Sequence, residues 1–212
     1  GLEVSGFNLT LAVEKSPMAA ETFHHNFISF DGNPDTWTKF KSLPLAKQVE
    51  SRLVVRELKT VLNNRKAMTG LKNSEIALVT GGPPCQGFSM AGLRNPGDQR
   101  NQLPYEFLEF VKRTQPKTVL MENVVGINRD FNKAGSVAAP FFAFAEALSI
   151  GSRGKPGYVV QKLLLNAQDY GVLQHRPRML LLGVRKDLVA NPGNVATDGI
   201  WRSDESNMLD PK

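Results

Sequence analysis

The chain contains a single cysteine, Cys85, and the residues around it are those of a rigid, exposed turn. It stands in the run GGPPCQGFS over residues 81–89, where prolines restrict the backbone before the sulfur and glycines free it on either side. A nucleophilic thiolate needs open access and nearby backbone donors. The apolar run over 75–80 predicts a buried strand that ends at this turn, where open α/β sheets bind their ligands. We therefore predict that Cys85 is a nucleophile, although a lone cysteine is more often a small buried residue.

Charged residues follow three further predicted elements. The run KTVLM over 117–121 predicts a strand with Glu122 at its end, and LTLAV over 9–13 predicts a strand followed by Glu14. An acid after a strand of a Rossmann-like sheet can bind ribose hydroxyls, but it can also be a surface residue. Arg176 and Arg178 alternate along QHRPR, so both should point to one face of an extended segment. Two arginines around a proline are otherwise typical of a solvated turn.

The remaining patterns predict the elements that position these residues. Ser16 and Pro17 should begin a helix that runs to about Phe27, and Pro104 suits the first turn of a helix over 103–113. Apolar residues at four-residue steps predict one amphipathic helix over 45–67, after a loop over 28–44. We interpret 28–72 as an insertion. We also predict a helix over 140–149 and strands over 158–165 and 179–184.

Composition excludes several classes of protein. The 212 residues carry a net charge of +6 and a pI near 9.5, which favours a polyanionic partner. One cysteine excludes a disulfide framework, and three histidines without ligand-like spacing predict no metal site. No apolar run reaches the ~18 residues that cross a membrane, and no signal peptide opens the chain. A cytoplasmic location, associated with the nucleoid, is the expectation.

Taken together, the motifs PCQ, ENV and QxRxR closely resemble those of the cytosine-C5 DNA methyltransferases, in that family's order. Residues 1–27 also resemble the segment that follows the family's glycine-rich cofactor loop. The resemblance implies an α/β, Rossmann-like fold of the S-adenosylmethionine-dependent methyltransferases, present here incompletely. It implies a catalytic core over 1–187 and the start of a linker toward a target-recognition domain over 188–212. The implied cofactor is S-adenosylmethionine, and the implied partner is double-stranded DNA with a flipped cytosine.

The resemblance also assigns roles to individual residues. Cys85 would add to C6 of cytosine, and Glu122, protonated in an apolar site, would bind N3 and the exocyclic amine beside the carbonyl of Pro83. One of Arg176 and Arg178 would orient Glu122, while the other would meet the active-site loop or a phosphate. The further residues implied are Glu14, Pro84 and Leu103 at the cofactor, and Gln86 and Ser89 at DNA.

The sequence departs from the family at several points. Leu173 stands where members often have proline, and Ala77 where they often have aspartate. Because the glycine-rich loop and the recognition domain are not in the sequence, we expect a fragment or one half of a split enzyme. We expect this chain alone to bind the cofactor poorly and to methylate no specific sequence. Two alternatives stay open: an inactive module that binds DNA or a partner, and an RNA cytosine-C5 methyltransferase.

Overall fold

The computed structural model describes residues 1–29, 33–83, 102–124, 140–151 and 154–189, with only the backbone over 140–143. Cys85, Pro84, Gln86 and Ser89, with the turn predicted for them, lie outside these residues. The chain divides into two compact units, 1–74 and 75–212.

The described residues of the first unit form five short helices and a two-stranded parallel sheet. Strand β1 pairs with β2, with Ala12 opposite Leu53. Side-chain oxygens of Ser16, Asn33 and Asn64 accept backbone N–H groups at the starts of three helices, as N-caps do. The elements are β1 Ala12–Val13, α1 Pro17–Phe27, α2 Pro34–Lys41, α3 Leu45–Glu50, β2 Leu53–Val54, α4 Leu58–Leu62 and α5 Arg65–Asn73.

Two predictions for the first unit are wrong. The predicted loop over 28–44 contains α2, because Asn33 caps a helix with Pro34 in its first turn and Trp37 and Phe40 on its buried face. The predicted single helix over 45–67 is broken after α3 at Arg52, whose φ of 66° is left-handed. The buried residues that follow Arg52 form strand β2 instead of continuing the predicted helix. The insertion over 28–72, which includes β2, stays a prediction.

The core of the first unit is built around aromatic residues. Trp37 and Phe40 pack with Ala20 and Leu53, and the buried ring of His24 lies 4.6 Å from that of Phe40. His24 is therefore a packing residue. Buried Gln48 ties α2 to the end of β2: its amide donates to the carbonyl of Lys41 at 3.2 Å and accepts from the N–H of Val55 at 3.1 Å.

The second unit contains a four-stranded mixed sheet in the order β3-β4-β6-β5. β3 and β4 are parallel, whereas β6 is antiparallel to both of its neighbours. The predicted helices α6 and α7 and the predicted strands are confirmed to within a few residues. The elements are β3 Leu78–Gly81, α6 Leu103–Thr114, β4 Thr118–Val124, α7 Pro140–Ile150, β5 Tyr158–Asn166 and β6 Pro177–Arg185, with 3-10 turns over Ala167–Tyr170 and Lys186–Leu188.

Several of the predicted site residues lie along one edge of this sheet. Gly81 at the end of β3 pairs with Met121, while Val124 at the end of β4 pairs with Arg178 near the start of β6. Arg178 pairs in turn with Leu165 of β5. The carboxyl ends of β3 and β4 and the connection from β5 to β6, on which Leu173 is fully exposed, therefore lie along the same edge.

The end of α6 and its link to β4 are held by three side chains that donate to carbonyl groups there. Lys155 Nζ reaches the carbonyl of Lys112 at 3.0 Å, Arg185 Nη1 that of Gln115 at 2.7 Å, and Tyr158 Oη that of Pro116 at 2.7 Å. Burial raises the pKa of Tyr158 well above its usual value, so its hydroxyl remains a donor in alkaline solution. These bonds fix the start of β4 and thereby its register.

Replacing Tyr158 with Phe should destabilise the protein without changing its fold. The change leaves the buried carbonyl of Pro116 without its donor, which typically costs roughly 1–3 kcal/mol. Urea denaturation followed by circular dichroism measures the free energy of unfolding. The control is Tyr170→Phe, at a residue that is 45% exposed. Equal stabilities of the two variants would contradict this account.

Candidate active site

Glu122 and Arg178 form an ion pair at the carboxyl end of β4. Arg178 Nε lies 2.6 Å from Glu122 Oε1. Glu122 is opposite Leu180 and Arg178 is opposite Val124, so the pair is diagonal across one face of the antiparallel ladder. Arg178 Nη1 also donates to the carbonyl of Pro177 at 2.9 Å. The guanidinium is thus held by its own strand while it fixes the carboxylate.

The surroundings of Glu122 differ from those predicted. The strand continues to Val124, so Glu122 lies within β4 and not after it. Its side chain is 47% exposed and faces a guanidinium, whereas the sequence predicted an apolar site. The apolar pattern of β4 could not reveal this because the cation comes from a strand that follows much later in the chain.

The turn after β3 runs directly against this carboxylate. A Cβ placed on Gly82 would lie 3.0 Å from Glu122 Oε2, closer than side chains normally pack. Gly81 is constrained as well, because its Cβ would lie 2.8 Å from the ring of Phe107 on α6. Glycines at both positions allow the turn toward Cys85 to pass between a helix and the Glu122 carboxylate.

Asn123 holds the same turn from the opposite face of β4. It is buried, and its Nδ2 donates to the carbonyl of Pro83 at 3.0 Å while its Oδ1 accepts from the N–H of Val124 at 2.8 Å. From the sequence, Asn123 entered only as the middle residue of the ENV motif. The available signal was its place on the buried face of the strand, in phase with Val119 and Met121.

The two arginines have different environments. Arg178 reaches Glu122, whereas the side chain of Arg176 is exposed and makes no ion pair with any described residue. The backbone of Arg176 is fixed by Asn166, whose Oδ1 accepts its N–H at 2.8 Å. Of the pair predicted to share one face, the structure thus brings only Arg178 to the carboxylate.

The described residues predicted to contact a cofactor lie in different units. Glu14 follows β1 in the first unit, where its Oε1 accepts the N–H of Ser16 at 2.7 Å. Leu103 is the first residue of α6 in the second unit and is half-buried. Glu14 therefore already holds the start of α1 with one carboxylate oxygen.

Within the described ranges, no group of three or more His, Cys, Asp or Glu side chains is arranged to hold a metal ion. No helix among the described residues is both long enough and apolar enough to cross a membrane.

Comparison with known proteins identifies the family. Residues 57–208 match the model of the C-5 cytosine-specific DNA methylases. This region includes Cys85, Glu122 and both arginines of the QHRPR run. The chain belongs to this family, as the order of its motifs predicted.

The relatives include Type II methyltransferases. The Type II methyltransferase M.DdeI of Desulfomicrobium norvegicum is 34% identical over 191 residues, which are 90% of this chain and 39% of that protein. A crystal structure from E. coli, described as a prophage-encoded DNA modification methyltransferase, has a TM-score of 0.58 at 30% identity and covers 86% of this chain and 42% of its own. The structure of a triple mutant of Spodoptera frugiperda DNMT2 has a TM-score of 0.57 at 20% identity. The match covers 90% of this chain and 47% of that chain.

These likenesses confirm the α/β, Rossmann-like methyltransferase fold predicted from the sequence. The chain spans less than half the length of each of these three proteins.

Replacing Gly82 with Ala tests the packing of the turn against Glu122. The added Cβ should displace the carboxylate by a few tenths of an ångström and strain its bond to Arg178. We expect the family's methyl transfer, measured in the full-length protein with labelled cofactor, to fall roughly tenfold, since small misplacements of reacting groups are costly. Gly70→Ala is the control, because a Cβ there meets nothing within 4 Å. Rates that are equal in the two variants would contradict the close approach.

Proposed function

We propose that the protein is a DNA cytosine-C5 methyltransferase whose nucleophile is Cys85. The observation that carries this proposal is the Glu122–Arg178 pair, against which the turn toward Cys85 is packed. Residues of two of the family's motifs, and Gly82 and Pro83 directly before the third, therefore lie along one edge of a sheet. Because the chain spans 39% of M.DdeI, we assign the activity to the full-length protein that contains it, or to its assembly with a complementary chain.

The chemistry requires a nucleophile because C5 of cytosine is a poor one itself. The Cys85 thiolate adds to C6, and the electron pair of the C5–C6 double bond becomes available at C5. After C5 is methylated, a base removes the proton on C5, the double bond reforms, and the thiolate leaves C6. The atoms balance: one methyl group is gained and one proton is lost at C5.

The chain's own residues stabilise the ring during this reaction. Glu122 binds N3 and the exocyclic amine as charge develops on the ring, and Arg178 keeps its carboxyl group in place. Arg176, which is exposed beside the same edge, is suited to a phosphate of the DNA backbone. The net charge of +6 favours such a polyanion.

S-adenosylmethionine is the proposed methyl donor, and when bound it supplies an electrophilic methyl group. Two residues present here fit it chemically. Glu14 engages one carboxylate oxygen with Ser16 at the end of a parallel strand, where acids bind ribose hydroxyls. Half-buried Leu103 offers an apolar contact for an adenine ring.

We propose Pro84 as a further cofactor contact, and Gln86 and Ser89 as DNA contacts, from their places in and beside the family's PCQ motif. A DNA substrate would place the working protein in the cytoplasm with the nucleoid.

Trapping with 5-fluorocytosine tests the role of Cys85. Duplex DNA with this base at the target position should form a stable adduct with the full-length protein, because fluorine blocks the final elimination. Cys85→Ser should abolish the adduct, as detected by denaturing electrophoresis. An adduct that survives the substitution would overturn the assignment.

The same assay separates the alternative functions. A tRNA substrate carrying 5-fluorocytosine that reacts while duplex DNA does not would identify an RNA methyltransferase. Binding of DNA without any adduct would identify an inactive binding module.

Replacing Glu122 with Gln should lower turnover far more than DNA affinity. Glutamine keeps a hydrogen-bonding group but cannot act as an acid, and loss of a positioned acid costs about 10²–10⁴-fold in rate. Single-turnover methylation and fluorescence anisotropy measure the two quantities. Glu109→Gln, at an exposed acid of α6, serves as the control. Turnover within about threefold of the wild type, which is too small a change for a lost general acid, would make Glu122 a structural residue.

A further inference from the structure

The connection between β5 and β6, residues 167–176, is exposed beyond its first residue but has a fixed backbone. Asn166 Oδ1 accepts the N–H of Arg176 at 2.8 Å, which ties the end of β5 to the end of the connection. The N–H of Ala167 donates to the carbonyl of Arg176 at 3.2 Å, and the N–H of Val172 donates to the carbonyl of Ala167 at 3.2 Å. The connection therefore holds its shape through bonds within itself and to Asn166.

This connection presents apolar side chains to solvent. Leu173 is 104% exposed, Val172 beside it is 48% exposed, and Tyr170 is 45% exposed. Neighbouring exposed apolar side chains on a fixed backbone indicate a surface that binds a partner. We call Tyr170, Val172 and Leu173 the apolar projection. Because its backbone is already ordered, a partner that covers it need not order the segment first.

The residues that follow the apolar projection indicate which partner it meets. Gln174, His175 and Arg176 are exposed, and their side chains can donate hydrogen bonds to phosphate oxygens. Shortly after them comes Arg178, which pairs with Glu122 at the proposed site of the base. Duplex DNA offers phosphates together with the apolar faces of its bases, so it fits this combination better than a protein surface does.

We propose that Leu173 is a wedge that stabilises the duplex once the target base has left it. This inference rests on the function proposed above. Flipping a base leaves a gap in which the neighbouring bases have lost their stacking partner. Proteins that bend DNA insert leucine and other apolar side chains between bases in a comparable way. Leu173 can enter such a gap without giving up packing in the free protein, because it is fully exposed.

The test measures base flipping in complexes of the full-length protein with duplex DNA. The duplex carries 2-aminopurine at the target position, and the fluorescence lifetimes of this base distinguish its flipped form from its stacked form. At saturating protein, Leu173→Ala should lower the ratio of flipped to stacked base roughly tenfold, because the leucine side chain is covered only in the flipped state. Leu173→Met, which keeps an apolar side chain of similar size, should stay close to the wild type.

The matched control is Leu188→Ala. Leu188 is also an exposed leucine, at 48%, but it follows β6, whereas Leu173 precedes that strand, so the two lie toward opposite edges of the sheet. Its replacement should leave the flipping ratio unchanged. Fluorescence anisotropy gives the DNA affinity of each variant, and thermal unfolding reports whether its fold is retained.

Each outcome decides for or against the wedge. A lower ratio in Leu173→Ala alone supports it. Weaker binding with an unchanged ratio would make Leu173 an ordinary DNA contact, and a loss of thermal stability with unchanged flipping would assign it to packing within the full-length protein; either result overturns the inference. Trapping of the wild type with 5-fluorocytosine tests the proposed function separately. If the adduct forms while the ratio is unchanged, the wedge alone fails, and if no adduct forms, both proposals fail.

Discussion

The alternation of side chains along β4 is the constraint on which the rest of the site depends. Glu122 and Asn123 are neighbours in sequence, so a strand must send them to opposite faces. The first then meets Arg178 on the more exposed face, and the second meets the carbonyl of Pro83 on the buried face. A slip of one residue in the register would exchange the faces, burying the carboxylate and exposing the amide. Three side chains donate hydrogen bonds to carbonyl groups just before β4, and these bonds oppose such a slip.

The antiparallel strand β6 adds a cation to the edge of the sheet at which the parallel strands β3 and β4 end. A parallel neighbour can bring the turn toward Cys85 to the carboxyl end of β4, and it does so at Gly82. An antiparallel neighbour instead brings the start of its own strand to that edge, and this is where Arg178 lies. Mixed pairing therefore places an anion, a cation and the start of the segment that leads to Cys85 along one edge of the sheet.

Much of this arrangement could be predicted from the sequence, because several signals are local. The apolar runs of β4, β5 and β6 predict the approximate bounds of these strands. Prolines in the first turns of α1 and α6 predict where these helices begin. The helix α2 was missed because Pro34 was interpreted as a loop residue, although Asn33 before it makes a capped helix start. The break at Arg52 depends on a backbone conformation that side-chain periodicity does not report. The arginine partner of Glu122 was implied only by the family resemblance, whereas the exposure of its carboxyl group was not predicted, since the surroundings of Glu122 are supplied by a strand distant in sequence.

The position of β6 also has a consequence for the order of events during synthesis. β4 emerges from the ribosome with one of its edges already able to pair with β3, but its other partner is the last strand of the described chain. Until Arg185 has emerged, the nascent chain presents an unpaired edge at the strand that bears Glu122 and Asn123. Exposed strand edges of this kind recruit other chains. Slow translation before β6 would therefore favour aggregation, and a ribosome-bound chaperone that covers this edge would be most useful over that interval.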